Sequence, residues 1–417
     1  MVYPFTGDYI GALTDVFALT ASLFVTAYVY TFYRAIRKLF DLEAWLSAVL
    51  SILFLGLHFL ILRGKNTGNP YLLGGDEPNL LFFYTIPALL NAMMVMVFEI
   101  RCGEESESPM KRAMLILACY FAICSNMYCS IILSAYAAMR LGLDWWQKRN
   151  VRQVLKQNRG FALLIGGWLV SIAIEFFGGR SRKLREIRHS KALLRSGYYY
   201  LKSLGRMNIV FLLLTLATLA VCLVLLRRRR GKRDRRDDGL GRCIRLFAAC
   251  FCLVSVYSVL LASIVSPGDM LEAKLWVVLA FYMLLGVCAG IGYLASRFPK
   301  PAIALPLCVV VLLSFVVPSG GMVFTDGTPK DIRASVCKQI EDELVARVSE
   351  ADRAGLDAVT VEVPQTDLEK NVPIKVTMSK YVAQALYRHG ITSKLMDITL
   401  HPNPEINASL FLDETLH

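Results

Sequence analysis

The sequence lacks the motifs that mark most soluble enzymes, and each missing pattern excludes a class of site. It has no glycine-rich phosphate loop, no Ser, His and Asp constellation, and no Cys or His pairs at zinc-binding intervals. Its five histidines are scattered along the chain, so they predict no metal cluster. The sequence therefore contains no self-contained motif that indicates a reaction.

Eleven cysteines are present, but their positions do not suggest a disulfide framework. Ten lie in or beside long apolar segments, and only Cys337 lies in the polar C-terminal part. Cys119, Cys124 and Cys129 recur every five residues, a spacing that does not keep them on one helical face. We interpret the cysteines as small apolar packing residues.

Charged residues are scarce, at 19% of the 417 residues, whereas 55% are hydrophobic and the mean hydropathy is +0.48. A soluble chain of this length is less apolar, so the composition indicates a multi-span membrane protein. Nine apolar runs approach the roughly 20 residues that a membrane-spanning helix needs. These runs are residues 10–33, 45–63, 80–99, 113–138, 160–177, 207–226, 244–265, 274–295 and 301–323.

The composition changes at residue 325, which separates a transmembrane helical domain, 1–324, from a C-terminal domain, 325–417. The C-terminal domain holds ten Lys/Arg and fifteen Asp/Glu. Its periodicities predict helix, strand, helix and strand, in the order 330–354, 357–364, 379–390 and 394–400. We predict an all-α polytopic membrane bundle of about nine transmembrane helices, followed by a small α/β domain with parallel strands.

The distribution of Lys and Arg between loops predicts the orientation of the spans. With the N-terminus in the cytoplasm, the cytoplasmic loops carry 20 Lys/Arg when the flanking Arg63 and Arg245 are included, and the external loops carry 16. The cytoplasmic loops are then 64–79, 139–159, 227–243 and 296–300, and the external loops are 34–44, 100–112, 178–206 and 266–274. The C-terminal domain lies outside. The net charge of +13 does not indicate nucleic acid as a partner, because the basic residues lie between spans.

One external loop is strongly basic, since residues 180–206 contain nine Lys/Arg and one acid, Glu186. An apolar stripe predicts an amphipathic helix in the headgroup plane, formed by Leu184, Ile187, Leu194, Tyr198 and Leu201. The cations suit either membrane lipid or a bound phosphate, and both alternatives stay open. The candidate phosphate-binding residues are Arg180, Arg182, Lys183, Arg185 and Arg188.

Acidic residues at the ends of spans are the candidate catalytic groups. Glu175 precedes the basic loop, where it could act as a general base for an acceptor hydroxyl. Asp41 and Glu43 lie in the first external loop, and paired oxygens of this kind also suit a divalent cation, the one cofactor that the sequence suggests. If the orientation is inverted, Asp76 and Glu77 replace Glu175 as the catalytic candidates.

Structural explanations compete with these catalytic ones. An ion pair with Arg180 or Arg182 would account for Glu175. Turn geometry would account for Asp269, a third external carboxylate in the segment SPGD.

The C-terminal domain carries the pattern I…A…G…V.V..P, followed by A..LY.HGI. The matching residues are Ile340, Ala351, Gly355, Val359, Val361, Pro364, Ala385, Tyr387 and Gly390. This pattern resembles the C-terminal region of uncharacterised multi-span bacterial proteins that are grouped with GT-C-type surface-polysaccharide and O-antigen glucosyltransferases. The resemblance covers under a quarter of the chain.

The resemblance implies a transferase in the bacterial cytoplasmic membrane that uses a polyprenyl-phosphate-linked sugar on the outer face. Such enzymes place an acidic residue in a long first external loop, whereas the loop 34–44 is short here. Two alternatives use the same membrane surface without this chemistry. One is a non-enzymatic transporter or assembly factor for lipid-linked glycans, and the other is a membrane-anchored sensor that presents the C-terminal domain.

Overall fold

The computed structural model of the protein describes much of the apolar part of the chain and of the C-terminal domain. The described residues are 8–61, 80–101, 108–177, 191–228, 235–272, 275–297, 334–365 and 379–409. They form two compact units. Described residues from Ala21 to Arg297 form the larger unit, and residues 8–20 belong with the C-terminal domain in the smaller one.

The larger unit consists of helices. Their bounds are α1 Tyr9–Phe40, whose first turns belong to the smaller unit, α2 Ala44–Leu60, α3 Leu81–Arg101, α4 Pro109–Ile123, α5 Met127–Lys148, α6 Val151–Gln157, α7 Arg159–Phe177, α8 Ala192–Leu204, α9 Ile209–Arg228, α10 Arg235–Ile264 and α11 Trp276–Arg297. A short 3-10 turn, Pro267–Leu271, lies between α10 and α11.

Six helices within the described ranges are long and apolar enough to span a membrane, namely α1, α3, α7, α9, α10 and α11. They correspond to six of the nine apolar runs. The remaining runs differ: α2 has only 17 residues, run 113–138 is divided between α4 and α5, and run 301–323 lies outside the described residues. The structure therefore confirms a helical membrane bundle, and the number nine stays a prediction.

The run 113–138 does not form the single helix that its hydropathy predicts. The Asn126 side chain caps α5 by accepting a hydrogen bond from the N–H of Tyr128 at 2.8 Å. The Ser125 hydroxyl donates to the carbonyl of Ala122 at 2.6 Å, near the end of α4. Asn is a strong helix-start residue, but an average over an apolar window does not detect it. The chain therefore turns inside this run.

Helices α3 and α5 run in the same direction. Near the start of both helices, the Cys129 thiol donates to the carbonyl of Tyr84 at 3.3 Å. Further along both helices, the Tyr136 hydroxyl donates to Glu99 at 2.6 Å. Because α3 and α5 are parallel, the chain must return from the end of α3 to the opposite end of the bundle before α5 begins. Helix α4, with 15 residues, makes this return along the bundle, although it is not among the helices that are long and apolar enough to span a membrane.

Several helix ends meet at one end of the bundle, which we call the arginine end. There Glu99 of α3 lies 3.7 Å from Arg140 of α5 and 3.2 Å from Arg242 of α10. Phe40 at the end of α1 packs against Tyr293 of α11, with ring centroids 6.4 Å apart. The C-terminal ends of α1, α3 and α5 and the N-terminal part of α10 therefore lie at this end.

This arrangement corrects the alternation of loops predicted from the sequence. The sequence analysis places loops 34–44 and 100–112 on the face opposite to loops 139–159 and 227–243. In the structure the helix ends next to all four loops meet at the arginine end. The return of the chain through α4 is the physical reason, because it reverses the direction of every later helix relative to the prediction.

The opposite end of the bundle is rich in tyrosine, and we call it the tyrosine end. An apolar cluster lies there, formed by Tyr128, Leu261, Ala262, Met270 and Leu275, with Tyr84, Phe176, Tyr199, Tyr200 and Tyr257 packed around it. The N–H of Asn208 donates to the carbonyl of Ile61 at 2.9 Å, which brings the start of α9 beside the end of α2. The rise of α11 from Trp276 to Tyr293 separates the two ends by about 25 Å.

The smaller unit contains a two-stranded parallel sheet and short helices. Its elements are α12 Ala334–Arg353, β1 Ala358–Pro364, α13 Ser379–Arg388, β2 Asp397–Asn403 and α14 Pro404–Ser409. The strand register pairs Ala358 with Asp397 and Pro364 with Asn403. The order and the parallel pairing are those predicted from the sequence.

Two glycines end the helices of this unit where the sequence predicted. Gly355 has φ +77° and Gly390 has φ +72°, in the left-handed region that glycine adopts without a Cβ clash. Ile340, Leu344 and Val348 lie on the buried side of α12, in one core with the strands. Local signals therefore specify this fold well.

The first described residues of the chain also belong to this unit. The Lys338 ammonium donates to Asp8 at 3.0 Å and to Asp342 at 2.6 Å. The Tyr9 ring lies 5.6 Å from the His389 ring. The N–H of Gly11, and then Lys338, hold the pKa of Asp8 below its usual value. The start of α1 and the C-terminal domain are thus held together.

Candidate functional site

Glu175 lies in the last turn of α7, at the tyrosine end, and is exposed. Its neighbour Phe176 packs into the cluster that contains Tyr128 and Met270. Tyr257 of α10 packs against the same cluster and is partly buried. The exposed Glu175 carboxylate therefore lies next to a tyrosine-rich cluster, where it can accept a proton from a hydroxyl group.

A second carboxylate, Asp269, lies at the same end in the turn before α11. It accepts a hydrogen bond from the Tyr128 hydroxyl at 3.2 Å. The Tyr257 hydroxyl donates to the carbonyl of Met127, the residue before Tyr128, at 3.2 Å. Tyr257 and Tyr128 thus connect the surroundings of Glu175 with those of Asp269. Turn geometry alone does not describe Asp269, because its partner comes from a distant helix.

Helix α8 packs over the turn that carries the second carboxylate. The Ser203 hydroxyl and the Arg206 guanidinium both donate to backbone carbonyls of the turn Pro267–Leu271. The Tyr200 hydroxyl donates to Ser255 of α10 at 2.8 Å, and burial raises the pKa of Tyr200. These bonds fix α8 beside the carboxylates. Helix α8 itself confirms the predicted helix for Leu194, Tyr198 and Leu201, the second part of the amphipathic stripe.

The candidate phosphate-binding residues lie outside the described residues. They are Arg180, Arg182, Lys183, Arg185 and Arg188. Their segment is joined to Phe177 of α7 and to Lys191 before α8, both at the tyrosine end. The described part of the same basic loop carries Lys191, Arg195 and Lys202, and all three are exposed.

Asp41 and Glu43 lie at the arginine end, between α1 and α2. Asp41 has a left-handed backbone with φ +52°. Glu43 accepts a hydrogen bond from the indole of Trp45 at 2.8 Å. Because the two ends are about 25 Å apart along α11, these carboxylates and Glu175 cannot act on the same atom. The expectation that all three share one face is therefore wrong.

Asp76 and Glu77 lie outside the described residues. Their segment, 62–79, is joined to Ile61 and Leu80. Ile61 bonds to the start of α9 at the tyrosine end, and Leu80 precedes α3 at the same end. The alternative catalytic role of Asp76 and Glu77 stays a prediction.

Sequence reasoning missed a charged cluster at the arginine end. The Glu99 side chain is only 6% exposed and lies between Tyr136, Arg140 and Arg242. A cavity of about 30 Å³ opens beside it, lined by Glu99 and by apolar side chains of α1, α3, α10 and α11. This volume suits water and not a sugar. The available signal was a lone acid at the end of an apolar run.

No three His, Cys, Asp or Glu side chains gather in a metal-binding arrangement within the described ranges. Within these ranges, no third side chain of this kind therefore joins Asp41 and Glu43, the two residues that suggested a divalent cation. No protein-family model, curated protein or solved structure matches the sequence.

Proposed function

We propose that this is a membrane glycosyltransferase-like protein that transfers a sugar from a polyprenyl-phosphate carrier at its tyrosine end. The observation that carries the proposal is the placement of Glu175 and Asp269 around one tyrosine-rich cluster, at the same end as the exposed cations of α8. A transfer of this kind needs a base for the acceptor hydroxyl and cations for the departing phosphate. Residues of both types belong to this end.

Each group has one role in the proposed step. Glu175 takes the proton from the acceptor hydroxyl as the acceptor oxygen bonds to the anomeric carbon of the sugar. The bond from that carbon to the phosphate oxygen breaks, and the carrier phosphate leaves with the electron pair. The candidate phosphate-binding residues, Arg180, Arg182, Lys183, Arg185 and Arg188, stabilise its negative charge. Asp269 is a positioning residue that orients Tyr128.

The orientation that we propose places the arginine end in the cytoplasm of a bacterium and the tyrosine end outside. Segments at the arginine end carry 24 Lys/Arg, namely 34–44, 100–112, 139–159, 227–245 and 296–300. Segments at the tyrosine end carry 12, namely 62–79, 178–206 and 265–275. Short basic segments are retained in the cytoplasm, so this two-fold asymmetry favours the proposed orientation.

The same proposal places both termini outside, whereas the sequence analysis placed the N-terminus in the cytoplasm. Asp8 and Lys338 form an ion pair, so the start of α1 and the C-terminal domain share one side of the membrane. The sequence analysis predicts that the C-terminal domain lies outside. We keep that placement in the proposal, and the start of α1 then lies outside as well.

The catalytic proposal can be tested in cells that lack the gene and carry variant copies. We expect Glu175→Gln to reduce the surface glycan that the wild-type copy restores, with a loss of transfer of about 100-fold, because general bases contribute at least this much. Asp269→Asn should reduce it less. Asp41→Asn at the opposite end is the matched control, and it should restore the glycan fully.

Immunoblots of membranes would verify that the variants accumulate equally. Full restoration by Glu175→Gln would remove the catalytic role and favour a non-enzymatic assembly factor or transporter. Deletion cells whose surface glycans are unchanged would refute the function altogether.

A further inference from the structure

Helix α8 has three different surfaces, and the first faces the protein. Ser196 and Ser203 form it and are fully buried. Tyr200 contributes its hydrogen bond to Ser255 at 2.8 Å. These contacts fix the rotation of α8 about its axis. The other two surfaces of the helix must therefore face away from the bundle.

The second surface is apolar. Leu194, Tyr198 and Leu201 are 74%, 61% and 66% exposed, and their spacing of four and three residues places them on one stripe. Large exposed apolar side chains also occur at the tyrosine end of α7 and α10, namely Ile174, Phe177 and Ile264. The stripe therefore belongs to a surface of the kind that contacts lipid.

The third surface is basic and lies beside the apolar stripe. Arg195 follows Leu194 and Lys202 follows Leu201, so each cation lies about 100° around the helix from the stripe. Lys191 precedes Arg195 by four residues and shares its side. All three cations are exposed. A row of cations thus borders a row of apolar side chains.

We infer that α8 lies in the headgroup layer at the tyrosine end and binds the phosphates of anionic bilayer lipids through Lys191, Arg195 and Lys202. The choice of partner follows from charge complementarity. An anionic lipid presents a phosphate directly above an apolar chain, which matches cations beside an apolar stripe. The inference uses no carboxylate, so it does not depend on the proposed sugar transfer.

Lipid binding also accounts for the basic loop at the less basic end of the bundle. The segment 178–206 holds nine of the 12 Lys/Arg that we count there. Cations in the headgroup layer lie within a Debye length of lipid phosphates, which compensate their charge. Lipid phosphates thus provide counter-charges for Lys191, Arg195 and Lys202 at the less basic end of the bundle.

The placement can be tested with nitroxide labels on the full chain in phosphatidylglycerol nanodiscs. The exposed thiols Cys124 and Cys252 would first be replaced by serine. We expect a label at Tyr198→Cys to be accessible to oxygen and protected from a water-soluble nickel reagent, and a label at Arg195→Cys to show the reverse. Nickel access at both positions, or protection from both reagents, would overturn the inference in favour of water or a protein partner.

The preference for anionic lipid can be tested with the same label at Tyr198→Cys. We expect it to lie deeper in phosphatidylglycerol than in phosphatidylcholine. Arg195→Gln with Lys202→Gln should abolish this depth difference, whereas the charge-conserving pair Arg195→Lys with Lys202→Arg should keep it. Equal depth in both lipids for the parent protein, or a difference that survives the glutamine pair, would refute anionic headgroups as the partner.

Discussion

The Glu99 carboxylate joins three helices through partners that are far apart in the sequence. Arg140 comes from α5, and Arg242 comes from α10, 143 residues along the chain. At 6% exposure this side chain has little contact with solvent, and its partners are two guanidinium groups and the Tyr136 hydroxyl. Its removal would leave two guanidinium groups beside an apolar cavity without this counter-charge.

We expect Glu99→Ala to lower the free energy of unfolding by about 3 kcal/mol, the typical cost of breaking a buried ion pair from one side. Glu43→Ala removes an exposed carboxylate at the same end and should change it by less than about 1 kcal/mol. Reversible unfolding of the purified protein in mixed micelles would measure both values. Similar losses for the two variants would contradict a special role of Glu99.

Among the elements, α11 packs unusually closely because two of its glycines face other helices. A Cβ added at Gly290 would lie 2.4 Å from Cγ2 of Thr218 in α9. One added at Gly292 would lie 2.9 Å from Cδ1 of Ile36 in α1. Small residues allow such approaches between membrane helices, where packing supplies much of the association energy.

We expect Gly290→Ala to destabilise the bundle by about 1–3 kcal/mol, because the added methyl group overpacks the contact with α9. The control is Gly286→Ala in the same helix, where nothing lies within 4 Å of the added Cβ. There the better helix propensity of alanine should leave stability unchanged or raise it by up to about 1 kcal/mol. The same unfolding assay shows whether each variant lowers or raises the free energy of unfolding. Equal destabilisation by Gly290→Ala and Gly286→Ala would argue against a special role of the close contact at Gly290.

Sequence reasoning succeeds for elements whose signals are local. The C-terminal domain is of this kind, because Gly355 and Gly390 stop its helices within one residue of where the patterns end. It fails where a short polar signal interrupts a long apolar run, as Asn126 does between α4 and α5. Glu175 could be proposed from its position, but its link to Asp269 through tyrosines depends on contacts between distant segments.

At the scale of the whole molecule, the break between α4 and α5, which hydropathy does not detect, changes the predicted direction of every later helix. The loop charges alone give 20 Lys/Arg against 16, a small difference, whereas the helix directions give 24 against 12. The same 36 cations therefore favour one orientation more strongly once α4 is recognised as a separate helix. A count of loop charges needs to know which loops share an end of the bundle, and contacts such as that between Glu99 and Arg242 provide this information.

Labelling with a membrane-impermeant maleimide in intact cells tests this orientation. We expect Lys191→Cys and Lys380→Cys to react from outside, and Lys156→Cys to react only after permeabilisation, because exposed Lys156 lies in α6 near the arginine end. Cells with the parent protein give the background from native thiols. External reaction at Lys156→Cys would invert the orientation and move the proposed site into the cytoplasm.

The pairing of Asp8 with Lys338 spans 330 residues of sequence. During synthesis the first helix can insert soon after it leaves the ribosome, but its opening turn must wait for nearly the whole chain before its partner exists. A product truncated before Lys338 would insert its early helices and still lack this closing contact. The ion pair thus forms only in a chain that has been synthesised through α12.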